Sequence, residues 1–419
     1  MRLHDVVVVG AGPAGMMAAI RAGQLEKNVV LLERNDKLGK KLKITGSNRC
    51  NVTNTAPLDL FLEKFGKKGS FLRSAFVMLS NRRLMSFFNS KGLKLKTEEE
   101  GRVFPVSNKS TSIIKVLKEY LSENRVKINY NTRLIKIKVK KDYFTLDLGN
   151  DNHMAAKKVI LATGGVSYPS TGSTGDGFDI AEKLGHKITP LKPGLVPLKA
   201  SEDWIKELQG ITLEDVVLTF KYGKRKIISD KGNIMFAHFG ISGPLVLDLS
   251  TKIVPLFEKN EKINLNIDLK PDFDDLELEE LLIKEFEARS KTEFKNFMKL
   301  FVPNRMIPIF IDILGINSKK KVNQVNRKER IAVVNLMKAF PLTLIGFQSI
   351  DKAMVTCGGI SKKDIDPQTM ESKIVSGIYF AGEMIDLCAP SGGYNLQEAF
   401  STGYLAGESA AESLNLKNK

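Results

Sequence analysis

Residues 6 to 22 leave the chain few arrangements. Val6-Val7-Val8-Val9 is a short β-branched run, suited to a strand buried on both faces, as in a parallel sheet covered by helices. Gly10-Ala11-Gly12-Pro13-Ala14-Gly15 follows at once, and Met16 to Ala22 is small and helix-forming, so the glycines stand at a strand-to-helix turn. Gly10 permits the tight turn, Gly12 lets backbone approach an anion, and Gly15 lets the helix pack on the strand, while Pro13 suits a first helical turn. A second strand, residues 28–32, ends in Glu33-Arg34. An acid at Glu33 suits a ribose hydroxyl and disfavours a 2′-phosphate, so the unit reads as a dinucleotide site for FAD or NAD rather than NADP.

Choosing between those two takes the far end of the chain. An NAD enzyme commonly continues with further strand–helix repeats, whereas a flavoprotein returns to the site from its C-terminal part. This chain returns: Gly377 to Glu383 reads as a strand ending in the pair Gly382-Glu383, and Gly392-Gly393-Tyr394-Asn395-Leu396 opens a helix behind a double glycine. Amides at such a helix start favour an anion, and in a flavin enzyme the group placed there is the N1/O2 edge, where charge collects on reduction. FAD is therefore the expected cofactor, with Gly382, Glu383, Gly392, Gly393, Tyr394, Asn395 and Leu396 in contact and Tyr394 also a wall of the substrate pocket. Lys40, Lys41, Lys43 and Arg49 crowd the loop after the second strand, either as countercharge to the pyrophosphate or as a solvated basic face.

Residues 39–54, Gly39-Lys40-Lys41-Leu42-Lys43-Ile44-Thr45-Gly46-Ser47-Asn48-Arg49-Cys50-Asn51-Val52-Thr53-Asn54, resemble the GRCN-type loop of the BaiN-like (aminoacetone-oxidase-like) flavoproteins. So do Ala162-Thr163-Gly164-Gly165, the stretch from Tyr168 to Gly177, His238 to Pro244, and residues 392–395, in order over essentially the whole chain. The resemblance implies an α/β protein with a discontinuous Rossmann-like FAD-binding domain and an inserted domain. It also carries Thr45, Gly46, Cys50, Asn51 and Ala162 to Gly165 to the cofactor, and places the strand near Leu134 beside the adenine. Where that loop often has a glycine before its Arg, this chain has Asn48; Asn tolerates left-handed backbone better than most residues, so the turn is expected to survive.

Residues 110–123 read as a helix, Val126–Lys140 and Tyr143–Leu148 as strands of a meander, and Lys157–Leu161 as the return strand. Pro190, Pro193 and Pro197 punctuate the start of a second region. Its expected bounds are 190–344, mostly β and barrel-like over 190–270 and helical over 271–344, closing before Pro341. Residues 1–189 and 345–419 would form the FAD-binding domain, with Met354 to Gly359 a returning strand.

Three cysteines without a CxxC pair disfavour a disulfide framework and a zinc ribbon, and no cluster has metal-ligand spacing, so no metal is expected. Cys50, beside the cofactor by the resemblance, is either a proton donor to substrate or a small buried hydrophobe, the commoner state of a free thiol. Cys388 allows the same two readings, and Cys357 reads as core. Of the four histidines, His238 lies in a glycine-rich turn that the resemblance brings towards the flavin, either as a general acid or as a structural ring bonding a carbonyl.

The net charge of +17 makes a polyanion a natural partner, with basic groups at Lys67-Lys68, Arg82-Arg83, Lys224-Arg225-Lys226, Lys319-Lys320-Lys321 and Arg327-Lys328. No signal-peptide core and no apolar run of about 18 to 20 residues is present, so a cytoplasmic protein without a membrane partner is expected. No second GxGxxG occurs, and NADPH or NADH would have to dock transiently over the flavin. Four readings of the activity stay open: hydride addition to a conjugated C=C of uracil in ribosomal RNA, the same chemistry on a small enone, oxidation of an aminoacetone-type amine, and a flavin-containing protein that binds RNA or the ribosome.

Overall fold

The computed structural model describes residues 2–416, and the chain divides into two compact units, Met1–Gly194 with Ile350–Lys419, and Leu195–Ser349. Both junctions fall a few residues later than the proline punctuation suggests. Ile188–Gly194 is a strand paired antiparallel with Val355–Ile360, so Pro190 and Pro193 belong to a ribbon of the first unit. At the other junction, the helical stretch ends at Lys338, and Phe340–Phe347 is a strand of the second unit with Pro341 opposite Asn266.

In the first unit Leu3–Val9 is central to a parallel sheet, flanked by Val29–Leu32 and His153–Leu161, with Lys127–Asn129 outside Val29–Leu32. Val6 to Val9 are buried, as a β-branched run covered on both faces should be. The first half of His153–Leu161 pairs antiparallel with Phe144–Asp147, which pairs with Lys136–Val139; its last residues pair parallel with Ile378–Phe380. The expected meander exists, but the stretch from Val126 to Lys140 is two short strands on opposite edges of the sheet, and Leu134 lies buried in the irregular segment between them rather than in a strand.

The cysteine expectation is corrected as well. Cys357 on Val355–Ile360 and Cys388 form a disulfide, with their α-carbons 5.2 Å apart. Counting and local spacing cannot see a bridge between residues that only folding brings together. Both are half-buried, so Cys357 is not core; Cys50 is free and buried.

The second unit is an antiparallel sheet in the order Arg225–Ile228, Thr212–Tyr222, Gly232–Ala237, Gly240–Ser242, Leu198–Ala200, Phe340–Phe347, Ile263–Asp268, and Ile263–Asp268 pairs back onto Thr212–Tyr222. That last pairing closes a barrel. Its core takes alternate residues such as Leu218 and Phe220, Ile263, Leu265 and Ile267, and Leu342 and Leu344, the period-two signature of strands with one buried face. A helix, Pro244–Ile253, interrupts the β part. Helices Asp275–Ala288 and Arg327–Lys338 each start in a capping box, Asp274 with Glu277 and Asn326 with Glu329. Among the described residues no helix is long and apolar enough to cross a membrane.

The first helix, Pro13–Gln24, packs on the C-terminal helix, Tyr394–Leu416, through glycines one turn apart: a Cβ at Gly403 would meet the Ala14 carbonyl, and one at Gly407 the Ala18 carbonyl. Helix propensity alone favours Ala over Gly by about 1 kcal/mol. Gly407→Ala is nonetheless expected to destabilise the chain by about 2 kcal/mol through overpacking, read as a lower urea midpoint; a raised midpoint would show that the helices have room.

Candidate functional site

Gly10 leaves the first strand with φ 101°, and its N–H donates to the Leu32 carbonyl at 2.8 Å. A Cβ on Gly10 would press on Ala162 backbone, and one on Gly15 would run into the Gly10 carbonyl, so the fold itself requires both glycines. Gly12 is different. Its φ is an ordinary −77°, and no atom lies within 4 Å of where a Cβ would stand. The first helix starts there without a side-chain cap and without an acid in its first turn, so the positive end of its dipole faces open space. Beside it, buried Glu33 accepts the Ala11 N–H at 2.9 Å on Oε2, and the Asn35 N–H and Nδ2 at 2.8 and 2.7 Å on Oε1. A carboxylate so held is fixed in direction and keeps acceptor capacity for a ribose hydroxyl.

The loop after the second strand is left-handed at Gly46, Ser47, Asn48 and Cys50. Asn48, at φ 69°, takes the conformation expected of it, and its carbonyl accepts the Ser110 N–H at 2.7 Å. Thr45 Oγ1 donates to the Lys41 carbonyl at 3.0 Å. Asn51 Oδ1 is buried and has no partner among the described residues. Burial pushes the Cys50 thiol up to about 12, so it stays neutral, sealed among apolar residues.

Arg34, Lys40, Lys41 and Arg49 each pair with a carboxylate of the chain itself. Lys40 pairs with Asp36 at 2.9 Å, Arg34 with Asp176 at 3.0 Å, and Arg49 with Glu98, its guanidinium 4.2 Å from the Phe104 ring centroid. Lys43 is exposed. Lys41 Nζ donates to both oxygens of Glu383, at 3.0 and 2.8 Å, and to Ser167 Oγ at 2.7 Å.

Glu383 is the hub of the returning segment. The Thr356 N–H donates to its Oε1 at 2.7 Å and Ser167 Oγ at 3.1 Å, while Thr356 Oγ1 accepts the Val166 N–H at 2.9 Å and so holds the turn at Gly164-Gly165. Burial opposes its charge, but Lys41 and these hydrogen bonds together hold the carboxyl below its usual range. Thr163 N–H and Oγ1 point at Met384 Sδ, 3.3 and 3.2 Å away. Gly392 and Gly393, at φ 115° and 92°, lead into the C-terminal helix, whose first turn carries no acid. A side chain on Gly393 would strike Thr53 backbone. Asn395 clasps the preceding segment, accepting the Ala389 N–H at 3.0 Å and donating to the Ala389 carbonyl at 2.8 Å. The buried Tyr394 ring packs edge-on against Phe61, 4.9 Å between centroids, and Leu396 is half-buried.

Ser167, Thr356 and Glu398 were not expected at the site. Ser167 and Thr356 lie in stretches of ordinary composition and gain meaning only through Glu383. Glu398 had a legible signal: an acid followed one turn later by Thr402, in a helix otherwise rich in Ala, Leu and Gly, is set on a buried face. Burial, then the neighbouring charge of Glu383, pushes its carboxyl up to about 8. His238 is exposed, on the two-residue turn between Gly232–Ala237 and Gly240–Ser242 of the second unit, with its ring edge-on to Phe239.

Three features fit a bound dinucleotide in the first unit: open space over Gly12, amide-rich helix starts at residues 13 and 394 without acids, and an orphaned buried Oδ1 on Asn51. Because a Cβ at Gly12 meets nothing in the protein, Gly12→Val is expected to fold with an unchanged circular dichroism spectrum yet purify without yellow colour; a fully yellow variant would refute the site. Glu398 holds its proton up to about pH 8 when folded but only to about 4.5 when unfolded. The folded state then binds more protons between those values, and stability falls as pH rises through them. Glu398→Gln is expected to lose this slope, its melting temperature gaining on the parent between pH 5 and pH 8; parallel slopes would show that Glu398 is ionised.

The HI0933-like protein Rossmann domain family matches residues 4–409. The 3-dehydro-bile acid delta(4,6)-reductase of Clostridium scindens is 28% identical over 412 residues, covering 98% of this chain and 100% of that protein. The ribosomal RNA dihydrouridine synthase of Escherichia coli is 28% identical over 410 residues, covering 96% and 97%. Among solved structures, the 3-ketosteroid delta1-dehydrogenase of Sterolibacterium denitrificans shares the fold, with a TM-score of 0.54 over 99% of this chain and 100% of that one at 13% identity. With a family match over nearly its whole length and a dinucleotide turn whose open face agrees with it, the chain belongs to the HI0933-like family and is an FAD-dependent oxidoreductase.

Proposed function

We propose that this enzyme is a reductase that adds hydride from reduced FAD to a conjugated C=C bond, and that the bond is that of uracil in ribosomal RNA. What carries the chemistry is the near full-length similarity to two proteins whose names both describe hydrogen added across a carbon–carbon double bond, one in a bile acid and one in uridine. What favours RNA is the charge of +17. Neutralising phosphates dominates nucleic-acid affinity, and the basic groups at 67–68, 82–83, 224–226, 319–321 and 327–328 are exposed apart from Lys68 and Lys320, which are half-buried in ion pairs with Asp386 and Glu329.

Bound FAD supplies a two-electron carrier that accepts and returns hydride. The chain's part is to bind, orient and protonate. Gly12 and the following amides would hold the pyrophosphate, Glu33 the ribose, and the start of the C-terminal helix the flavin ring. Lys41 keeps Glu383 ionised and in place. The proton for the second carbon is assigned, on the resemblance of its turn, to exposed His238 rather than to Cys50, whose buried thiol would leave a thiolate in an apolar site. NADPH or NADH, docking transiently, is the proposed reductant, because no second dinucleotide turn occurs in the sequence.

A small enone is the second reading, favoured by the equal identity to the bile acid reductase. The two separate in one anaerobic experiment: reduce the flavin with NADPH or NADH, remove the excess, and add unmodified ribosomal RNA or a steroid-type enone. Reoxidation by RNA with dihydrouridine formed is the expected result, and His238→Asn should slow this half-reaction severalfold while leaving flavin reduction unchanged. Reoxidation by the enone or by oxygen alone, with RNA inert, would overturn the RNA assignment.

A further inference from the structure

The Cys357–Cys388 bridge lies within the hydrogen-bond frame of the cofactor segments. One residue before Cys357, the Thr356 N–H donates to Glu383 and its Oγ1 anchors Val166 and Ser167. One residue after Cys388, both backbone groups of Ala389 are held by the side chain of Asn395, in the first turn of the C-terminal helix. The bridge therefore ties the strand that positions Glu383 to the segment that delivers Gly392 and Gly393. Gly194, opposite Val355 in the paired strand, makes room for it: a Cβ there would press on both sulfurs. Both cysteines are half-buried, whereas Cys50 is fully buried.

We propose that Cys357 and Cys388 are a reversible thiol–disulfide site that sets how firmly the segment 388–393 holds FAD, an inference that rests on the FAD reading of the site. A low-molecular-weight dithiol is the reductant. Its thiolate attacks one sulfur of the bridge, releasing the other cysteine as a thiolate that takes up a proton. Its second thiol then displaces the first cysteine, so the dithiol leaves as a disulfide and two electrons and two protons have passed to Cys357 and Cys388. With the bridge open, the segment keeps the Asn395 clasp and the bond from Asn54 Nδ2 to the Gly392 carbonyl, but loses its covalent tie to the strand carrying Thr356. Constraint on a 31-residue separation is removed, and the binding-competent arrangement must then be ordered by FAD itself.

The test uses the holoenzyme. Thiols are titrated in denaturant before and after dithiothreitol, and FAD release is followed as free-flavin fluorescence on serial dilution of both forms and of Cys388→Ser and Cys357→Ser. The expected result is one titratable thiol in the oxidised chain and three in the reduced one, FAD released at severalfold higher protein concentration after reduction, and serine variants that match the reduced form and ignore dithiothreitol. Three thiols without reductant, or FAD retention that does not change on reduction, would overturn the proposal. A protein that holds no FAD in either form would instead overturn the FAD reading beneath it.

Discussion

The van der Waals contact between the backbone of Gly10 and the α-carbon of Gly15 sets the geometry that the rest of the first unit follows. Because nothing larger than hydrogen fits there, the first helix starts directly off the central strand, and its N-terminal amides open onto the space over Gly12. Ala14, two residues after Gly12, is then where remote segments converge. Its side chain lies against Gly382 and its carbonyl under Gly403, so the returning strand and the C-terminal helix both dock on the first turn of the first helix. A site assembled from residues 10–15, 33, 45–51, 382–383 and 392–396 depends on that docking.

Electrostatics completes the arrangement in an uneven way. Glu383 is ionised because Lys41, Ser167 and the Thr356 amide surround it, and removing one member of such a partly buried pair strands the other at a cost of about 3 to 5 kcal/mol in buried examples. Glu398, buried, facing the charge of Glu383 and with no cation paired to it among the described residues, takes the opposite protonation state. Two carboxyls close in the fold thus differ in charge because their surroundings differ, and the anion-receiving helix start at residue 394 is not burdened by a second negative group.

The inserted unit obeys simpler rules. Alternating apolar residues on Thr212–Tyr222, Ile263–Asp268 and Phe340–Phe347 bury one face of each strand, and closing the ring leaves, among the described strands, only the short Arg225–Ile228 with an unpaired edge. Its polar turns, including the one bearing His238, are free to differ in function without disturbing that core.

Local chemistry was enough to read the dinucleotide turn, the acid at Glu33, the double glycine at 392–393, the helix at 110–123 and the period-two strands of the insertion, because each depends on sterics or periodicity among near neighbours. Proline punctuation misplaced the junctions, since Pro190 and Pro341 sit inside strands whose partners, near Ile360 and Asn266, are remote in the chain. Lys40, Lys41 and Arg49 looked free because their carboxylate partners Asp36, Glu383 and Glu98 are chosen by packing, and a run of like charge carries no record of what it will face. Cys357 and Cys388 looked unrelated for the same reason. The sequence alone determined that a phosphate-binding turn and a returning glycine pair exist and that FAD suits them. Only the tertiary structure decided which charges cancel, which carboxyl keeps its proton and which sulfurs meet, because those outcomes rest on distances between segments that the chain order leaves open.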